Sequence, residues 1–320
     1  MTRSTFVTGA YGLLGSWLVP ALLARGDRVT VLQRDRAPRS ALLLDGVADA
    51  VDVVHGDLVE PGLMARALGE HEVDTVFHLA AQTIVGTANR SPLATFESNV
   101  RGTWTLLEAC RMHGVERVVV AASDKAYGAS ATLPYREDMP LEPRYPYDVS
   151  KAATDLIARS YWHSFGLPVA VTRFANLYGG GDLNRSRLIP EAIGAALAGR
   201  APVIRSDGTP ERDFLYVEDA VDAYLRLADT LDGDARGEAF NAGGGAPYAV
   251  RDVVARICAL AGTDVAPDVR GTGTPAGEID RQYVDASKLR ELTGWEPRVD
   301  LDEGLRRTID WYRAHPQALA

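Results

Sequence analysis

Apolar residues follow two alternating rhythms along this chain. Short, nearly unbroken apolar runs stand at 4–8, 28–32, 50–54, 75–79, 117–121 and 168–172. Between them lie stretches in which apolar residues recur every third or fourth position, among them 16–25, 61–68, 93–113 and 150–165. Consecutive apolar positions predict strands buried on both faces, and the longer period predicts helices that lay one face on a sheet. Strand and helix in alternation predict an α/β fold built on a doubly wound parallel sheet. After Tyr178 the alternation weakens into Gly- and Pro-rich segments, with helices expected at 189–198, 250–261 and 302–312. That change predicts a smaller C-terminal lobe closing over the sheet. The expected division is 1–178 for the sheet domain, with later strands contributed by about 213–245, and 179–320 mainly for the lobe.

Ligands on such a sheet bind beyond the carboxyl ends of its strands. Gly9-Ala10-Tyr11-Gly12-Leu13-Leu14-Gly15 follows the first strand, and Asp57, Leu79 to Ala81 and Ser123 follow later ones, so they should gather along one edge. Glycines there permit positive φ and let a phosphate approach the backbone, while the following helix offers its first N–H groups to an anionic diphosphate.

Tyr147 and Lys151 lie four residues apart at the head of a helical stretch, which stacks both side chains on one face. A phenol is a weak base at neutral pH, and a neighbouring ammonium favours its ionised form. The pair therefore reads as a tuned base.

Composition narrows the partners. A formal net charge of −9 with no basic tract argues against a nucleic-acid or anionic-membrane partner, so an anionic substrate must be held by local groups. Cys110 and Cys258 have no close-spaced partner and read as buried free thiols in a reducing compartment. The six histidines form no metal motif, and His78, ending an apolar strand, reads as a packed structural residue. With no secretory signal pattern and no apolar run of about 20 residues, a cytoplasmic location is expected.

Taken together, these stretches resemble the extended short-chain dehydrogenases/reductases, within the nucleotide-sugar epimerase and dehydratase group. The glycine turn and the Tyr147/Lys151 pair are joined by His55-Gly56-Asp57-Leu58, His78-Leu79-Ala80-Ala81-Gln82 and Asn99-Val100-Arg101-Gly102-Thr103. Arg173-Phe174-Ala175-Asn176-Leu177-Tyr178-Gly179 and Arg212-Asp213-Phe214-Leu215-Tyr216-Val217-Glu218-Asp219 follow. The resemblance implies a Rossmann domain holding NAD(P), tightly bound and recycled, through Gly9, Tyr11, Gly12, Leu13, Leu14, Gly15, Arg34, Asp57, Leu58, Leu79, Ala80, Ala81, Asn99, Tyr147 and Lys151. It also implies a homodimer formed through 93–113 and 150–165. Gln33-Arg34 at the second strand's end suits a 2′-phosphate, whereas Asp35 would suit the ribose of NAD, and the choice stays open.

By the same resemblance Ser123, Tyr147 and Lys151 would oxidise a sugar hydroxyl, with Asn176, Arg187 and Arg212 on the substrate diphosphate. Ser123-Asp124-Lys125 resembles the CDP-glucose 4,6-dehydratase version of the strand-end motif. The implied activity is a 4,6-dehydratase: transient oxidation at C4, water loss across C5 and C6 with Asp124 as acid and Lys125 as base, and hydride return to C6. A C4-epimerase working through the same ketone is the alternative, and a noncatalytic NAD(P)-binding regulator a third. Asp124 and Lys125 also admit a reading as a solvated charge pair, since neighbouring strand residues face opposite ways. Pro275-Ala276-Gly277-Glu278 lacks the arginine that many relatives place there, leaving Arg281 or Arg270 to substitute.

Overall fold

The computed structural model describes residues 2–274 and 279–319. Seven strands form one sheet in the order Ala239–Ala242, Val169–Phe174, Arg117–Ala121, Thr75–His78, Ser4–Thr8, Arg28–Gln33, Asp52–His55. All neighbours are parallel, with Val7 set opposite Val31 on one side and Phe77 on the other. The chain steps outward from the first strand in both directions, so a crevice opens at the carboxyl ends beside Ser4–Thr8.

Period-two alternation sends the strand residues into two cores, one on each face. Val7, Val31, Phe77 and Val119 meet Leu18, Leu22 and Tyr224, while Phe6, Val76, Val118 and Val120 meet Leu63, Leu106 and Leu107. Each such side chain contributes about 1.5–3 kcal/mol on burial. Burial on both faces is the reason the strands read as unbroken apolar runs.

The helix carrying Tyr147 and Lys151 spans Pro146–Phe165. It begins earlier than its apolar period because Pro146 occupies the first turn, where a missing N–H costs nothing, and it stops at Gly166 in the left-handed region. The stretch expected as one helix over 93–113 is Pro92–Phe96, a π-type turn at Glu97–Arg101 and Gly102–Met112. That widened turn buries Asn99.

Past Phe174 a second, smaller sheet forms around Glu211–Tyr216. Pro247–Ala249 and Arg281–Gln282 flank its first half and Asn176–Tyr178 its second. The register puts Arg212 beside Gln282. Of the later strands expected near 213–245, Ala239–Ala242 joins the large sheet at its edge, whereas Glu211–Tyr216 belongs to the small one. Helices Val250–Ala261 and Leu301–Ala314 pack against it, and Leu188–Leu197 packs on Val250–Ala261. Among the described residues, no helix is long and apolar enough to cross a membrane.

Candidate active site

A cavity of about 1080 Å³ runs along the carboxyl edge of the large sheet and under the C-terminal part. Every residue expected in the site lines it, from the glycine turn and Arg34 through Ser123, Tyr147 and Lys151 to Asn176, Arg187 and Arg212, with the exception of Asn99. Asn99 is buried behind the wall, and its side chain is fully used. Its Oδ1 accepts from Gln82 N at 2.6 Å, and its Nδ2 donates to Ser150 Oγ at 2.9 Å and Gln82 O at 3.1 Å. The expected cofactor contact is therefore replaced by a tie between the 80–82 loop and the tyrosine helix.

At one end of the cavity the backbone fits a dinucleotide. Gly9 has φ +75°, and a Cβ there would stand 2.7 Å from Ala80 N. Gly12 precedes the helix Leu13–Ala24 with no side-chain cap, leaving the first-turn N–H groups for an anionic diphosphate. Arg34 at the adenosine end is already committed: its Nε donates to Asp35 at 2.7 Å and its Nη1 lies 3.9 Å from Asp57. Two carboxylates around that guanidinium suit ribose hydroxyls better than a 2′-phosphate, which favours NAD.

At the other end lies the acid–base chemistry. The strand Arg117–Ala121 does not simply continue. Ser123 is extended, its Oγ accepts from Lys125 N at 3.2 Å and donates to Asp124 Oδ1 at 3.0 Å, and Asp124–Tyr127 closes a single 3₁₀ turn. Strand alternation is lost, so Asp124 and Lys125 both line the cavity, and the solvated-pair alternative fails for Asp124, which is 2% exposed. Its Oδ2 has no hydrogen-bond partner, and burial raises its carboxyl to about 6. Lys125 Nζ donates to Gln282 Oε1 at 3.4 Å.

Lys151 stands at the end of the strand Arg117–Ala121. Its Nζ donates to Ala121 O at 2.7 Å, and burial lowers it to about 8. Burial pushes the Tyr147 phenol up to about 12; the Arg187 guanidinium and a hydrogen bond with Ser123 oppose this, while Asp124 and Asp148 add to it. Arg187, a cation that favours the phenolate, also lines the cavity.

Arg187 pairs with Asp182 at 3.0 Å, and Arg212 donates to the carbonyls of Glu211 at 2.9 Å and Asp280 at 3.0 Å, which aims its guanidinium. Neither suggested substitute arginine lines the cavity: Arg270 bonds Asp268 and Arg281 bonds Glu211, both at 2.7 Å. The 275–278 stretch lies outside the described residues. Arg205 and Asp148 line the cavity although sequence reasoning passed over both. Asp148 reads in sequence as an ordinary first-turn helix acid, whereas in the fold it is buried with its Oδ1 lacking a partner.

Behind the Ser123–Tyr127 turn sits a buried network. Arg173 makes a two-pronged ion pair with Asp155 at 2.7 and 3.0 Å and donates to Tyr127 OH at 3.0 Å, which donates to Asn241 Oδ1 at 2.8 Å. His78 is a packed residue as expected, bonded to Thr8 and Thr103 and kept neutral by burial, which lowers it to about 3.

A profile of the NAD dependent epimerase/dehydratase family matches residues 5–243. A UDP-glucose 4-epimerase of Mycolicibacterium smegmatis is 35% identical over 98% of this chain and 99% of its own. A dTDP-glucose 4,6-dehydratase of Xanthomonas campestris pv. campestris is 34% identical over 96% of this chain and 92% of its own. Among solved structures, a dTDP-glucose 4,6-dehydratase from Streptomyces venezuelae with NAD bound superposes with a TM-score of 0.89 at 32% identity, covering 98% of each chain.

Proposed function

The chain belongs to the NAD dependent epimerase/dehydratase family, the extended short-chain dehydrogenases/reductases, and from that premise we propose that it is a nucleotide-sugar 4,6-dehydratase. It is an NAD-dependent enzyme, and a noncatalytic role is set aside. The observation that carries the dehydratase reading is Asp124: a carboxyl buried in the cavity wall, one oxygen without a partner, holding its proton to about pH 6 beside Lys125. Epimerisation at C4 has no use for such a pair.

Residues 1–178 with Ala239–Ala242 hold the cofactor, and the rest mainly the sugar nucleotide. Arg212, Arg187 and Asn176 bind the diphosphate. NAD, when bound at the glycine turn, supplies a reversible hydride acceptor bearing a positive charge. Tyr147 takes the proton of the C4 hydroxyl as its phenolate, the form that the Arg187 charge and the positive charge of bound NAD would favour, and becomes the phenol, while Ser123 Oγ donates to the same substrate oxygen. With a ketone at C4 the C5 proton turns acidic; Lys125 Nζ removes it, and Asp124 protonates the departing C6 hydroxyl.

Mass analysis of products from CDP-, UDP- and dTDP-glucose tests the reading, CDP-glucose first because of Ser123-Asp124-Lys125. Loss of one water from a substrate supports it. A product isomeric with its substrate overturns it in favour of the epimerase.

A homodimer accompanies this reading. Leu93, Trp104, Met112, Leu156 and Phe165 are exposed on the helices Pro92–Phe96, Gly102–Met112 and Pro146–Phe165, an apolar surface of the kind a second copy covers. Sedimentation should give twice the chain mass for the parent protein and one chain mass for Trp104→Glu combined with Leu156→Glu.

A further inference from the structure

Of the 34 lysines and arginines in this chain, three are lysine: Lys125, Lys151 and Lys288. Lys288 is joined to the Glu238 carboxylate at 2.6 Å, away from the cavity that the other two line. Those two are held by neutral carbonyl oxygens, Lys151 by the backbone of Ala121 at 2.7 Å and Lys125 by the Gln282 side-chain amide at 3.4 Å. Among the described residues neither makes an ion pair. An ammonium bonded to a neutral oxygen gives up its proton more readily than one bonded to a carboxylate, because no opposite charge holds it there. A guanidinium does not give one up in proteins at all.

Gln282 is completely buried, and the other atom of its amide, Nε2, has no partner. A buried donor left unbonded costs stability, and an apolar side chain of the same length would not carry that cost. What the amide supplies is the bond from its Oε1 to Lys125 Nζ. Its strand, Arg281–Gln282, is fastened on two sides. On one, Gln282 lies in register with Arg212, whose Nη1 donates to Asp280 O at 3.0 Å. On the other, Tyr135 N donates to Tyr283 O and Asp285 N to Tyr135 O, both at 2.9 Å, and the Tyr135 ring stacks on Tyr127 of the turn that carries Lys125. Residues 280–285 therefore tie the arginine assigned to the substrate diphosphate to the lysine assigned to its C5.

We propose that Gln282 is a positioning residue for Lys125: its carbonyl oxygen sets where Nζ stands relative to Arg212, and does so without a charge that would keep Nζ protonated. The inference rests on the dehydratase reading. In the step it serves, the Nζ lone pair forms an N–H bond with the C5 proton, and the C5–H electrons pass into the enolate of the 4-ketone. Those electrons then expel the C6 hydroxyl, which takes the Asp124 proton and leaves as water. Oxidation at C4 uses Ser123 and Tyr147 and does not call on Gln282. The charged or titratable groups facing this cluster are Asp124 on the turn, Tyr147 and Asp148 on the helix Pro146–Phe165, Arg187, Tyr135, and Arg212 and Asp213 on the strand Glu211–Tyr216. A substitution at Gln282 leaves every one of them in the chain, so it reads the tether.

Gln282→Met keeps the length of the side chain and removes the oxygen. On mixing with whichever of CDP-, UDP- or dTDP-glucose the parent dehydrates, this variant should oxidise C4 and then stall, so that reduced cofactor accumulates and is seen by its absorbance. Turnover should fall about tenfold or more with KM near that of the parent, and the isotope effect with substrate deuterated at C5 should grow. Gln282→Glu keeps the shape and adds the charge. A carboxylate there favours the ammonium, so the limb of the pH–rate profile on which Lys125 loses its proton should move up by about one unit, with turnover recovering as pH rises. A lowered melting temperature in Gln282→Met without any build-up of reduced cofactor would make Gln282 a packing residue and overturn the proposal. Parent-like turnover in that variant, or an unmoved limb in Gln282→Glu, would do the same, and the limb decides alone if Gln282→Met does not fold. A parent enzyme that isomerises its substrate without losing water ends the dehydratase reading and this proposal together, whereas a parent that dehydrates beside unaffected Gln282 variants ends the proposal alone.

Discussion

Two buried polar clusters flank the Ser123–Tyr127 turn, and they are built on opposite terms. Behind it, Arg173, Asp155, Tyr127 and Asn241 bond one another. Tyr135 also stacks on Tyr127 with ring centroids 4.7 Å apart. In front of it, Asp124, Asp148 and Gln282 each keep one buried atom without a partner. A network whose capacity is spent rigidifies its surroundings, whereas orphaned polar atoms cost stability and are kept where a ligand or a proton will use them. The rear cluster thus holds the turn still, and the front cluster is what the turn presents to the cavity.

Breaking the rear cluster should have the largest effect. Arg173→Met takes the two-pronged partner from the fully buried Asp155 and leaves it only Arg159 Nη1, 3.9 Å away, which should cost about 3–5 kcal/mol in urea unfolding. Removing both partners with Arg173→Met and Asp155→Asn should recover a good part of that loss, because the penalty lies in a buried carboxyl that has lost its main partner. A single variant within 1 kcal/mol of the parent would erase the contrast between the clusters, since about 1 kcal/mol is the size of an ordinary substitution.

The front cluster should answer in the opposite direction. Asp124 has its carboxyl raised from 3.8 to about 6, so its contribution is fully favourable below 3.8 and is lost as pH rises through about 6. Asp124→Asn should therefore stabilise the protein at pH 7 by about 2–3 kcal/mol, the gain shrinking as pH falls from 6 towards 4, while dehydration is lost. Unfolding at several pH values checks the slope, and a gain independent of pH would mean that ionisation is not its source.

Sequence carried the large sheet because its strands are buried on both faces and announce themselves as apolar runs, and it carried most of the cavity because Gly9 and Ser123 follow strand ends and Tyr147 opens a helix. It missed what depends on the path between elements. A 3₁₀ turn after Ser123, set by the serine's own hydroxyl, puts Asp124 and Lys125 on one side where alternation would part them. Gln282 reaches Lys125 across 157 positions through a two-residue strand, too short to leave a period. Asn99 stands beside the cavity in sequence pattern yet is turned inward by the π-type turn. It belongs with the rear cluster in kind, and Asn99→Ala should cost about 1–2 kcal/mol of stability while leaving NAD affinity, measured by calorimetry, nearly unchanged.

The smallest effect should come from Arg34, where the comparison extends to the surface. Its side chain lines the cavity, which by position alone would place it among the groups kept for a ligand. Its bonds place it among the spent ones, because Asp35 holds its Nε and Asp57 stands near its Nη1. Both carboxylates are well exposed, and ion pairs of that kind contribute about 0–1 kcal/mol. Arg34→Ala should then change NAD affinity by no more than about fivefold, the equivalent of 1 kcal/mol, and NADP should bind more weakly than NAD in parent and variant alike. A tenfold loss confined to NADP would show that Arg34 leaves its carboxylates to read a 2′-phosphate, and would move this arginine from the spent class to the one held for a ligand.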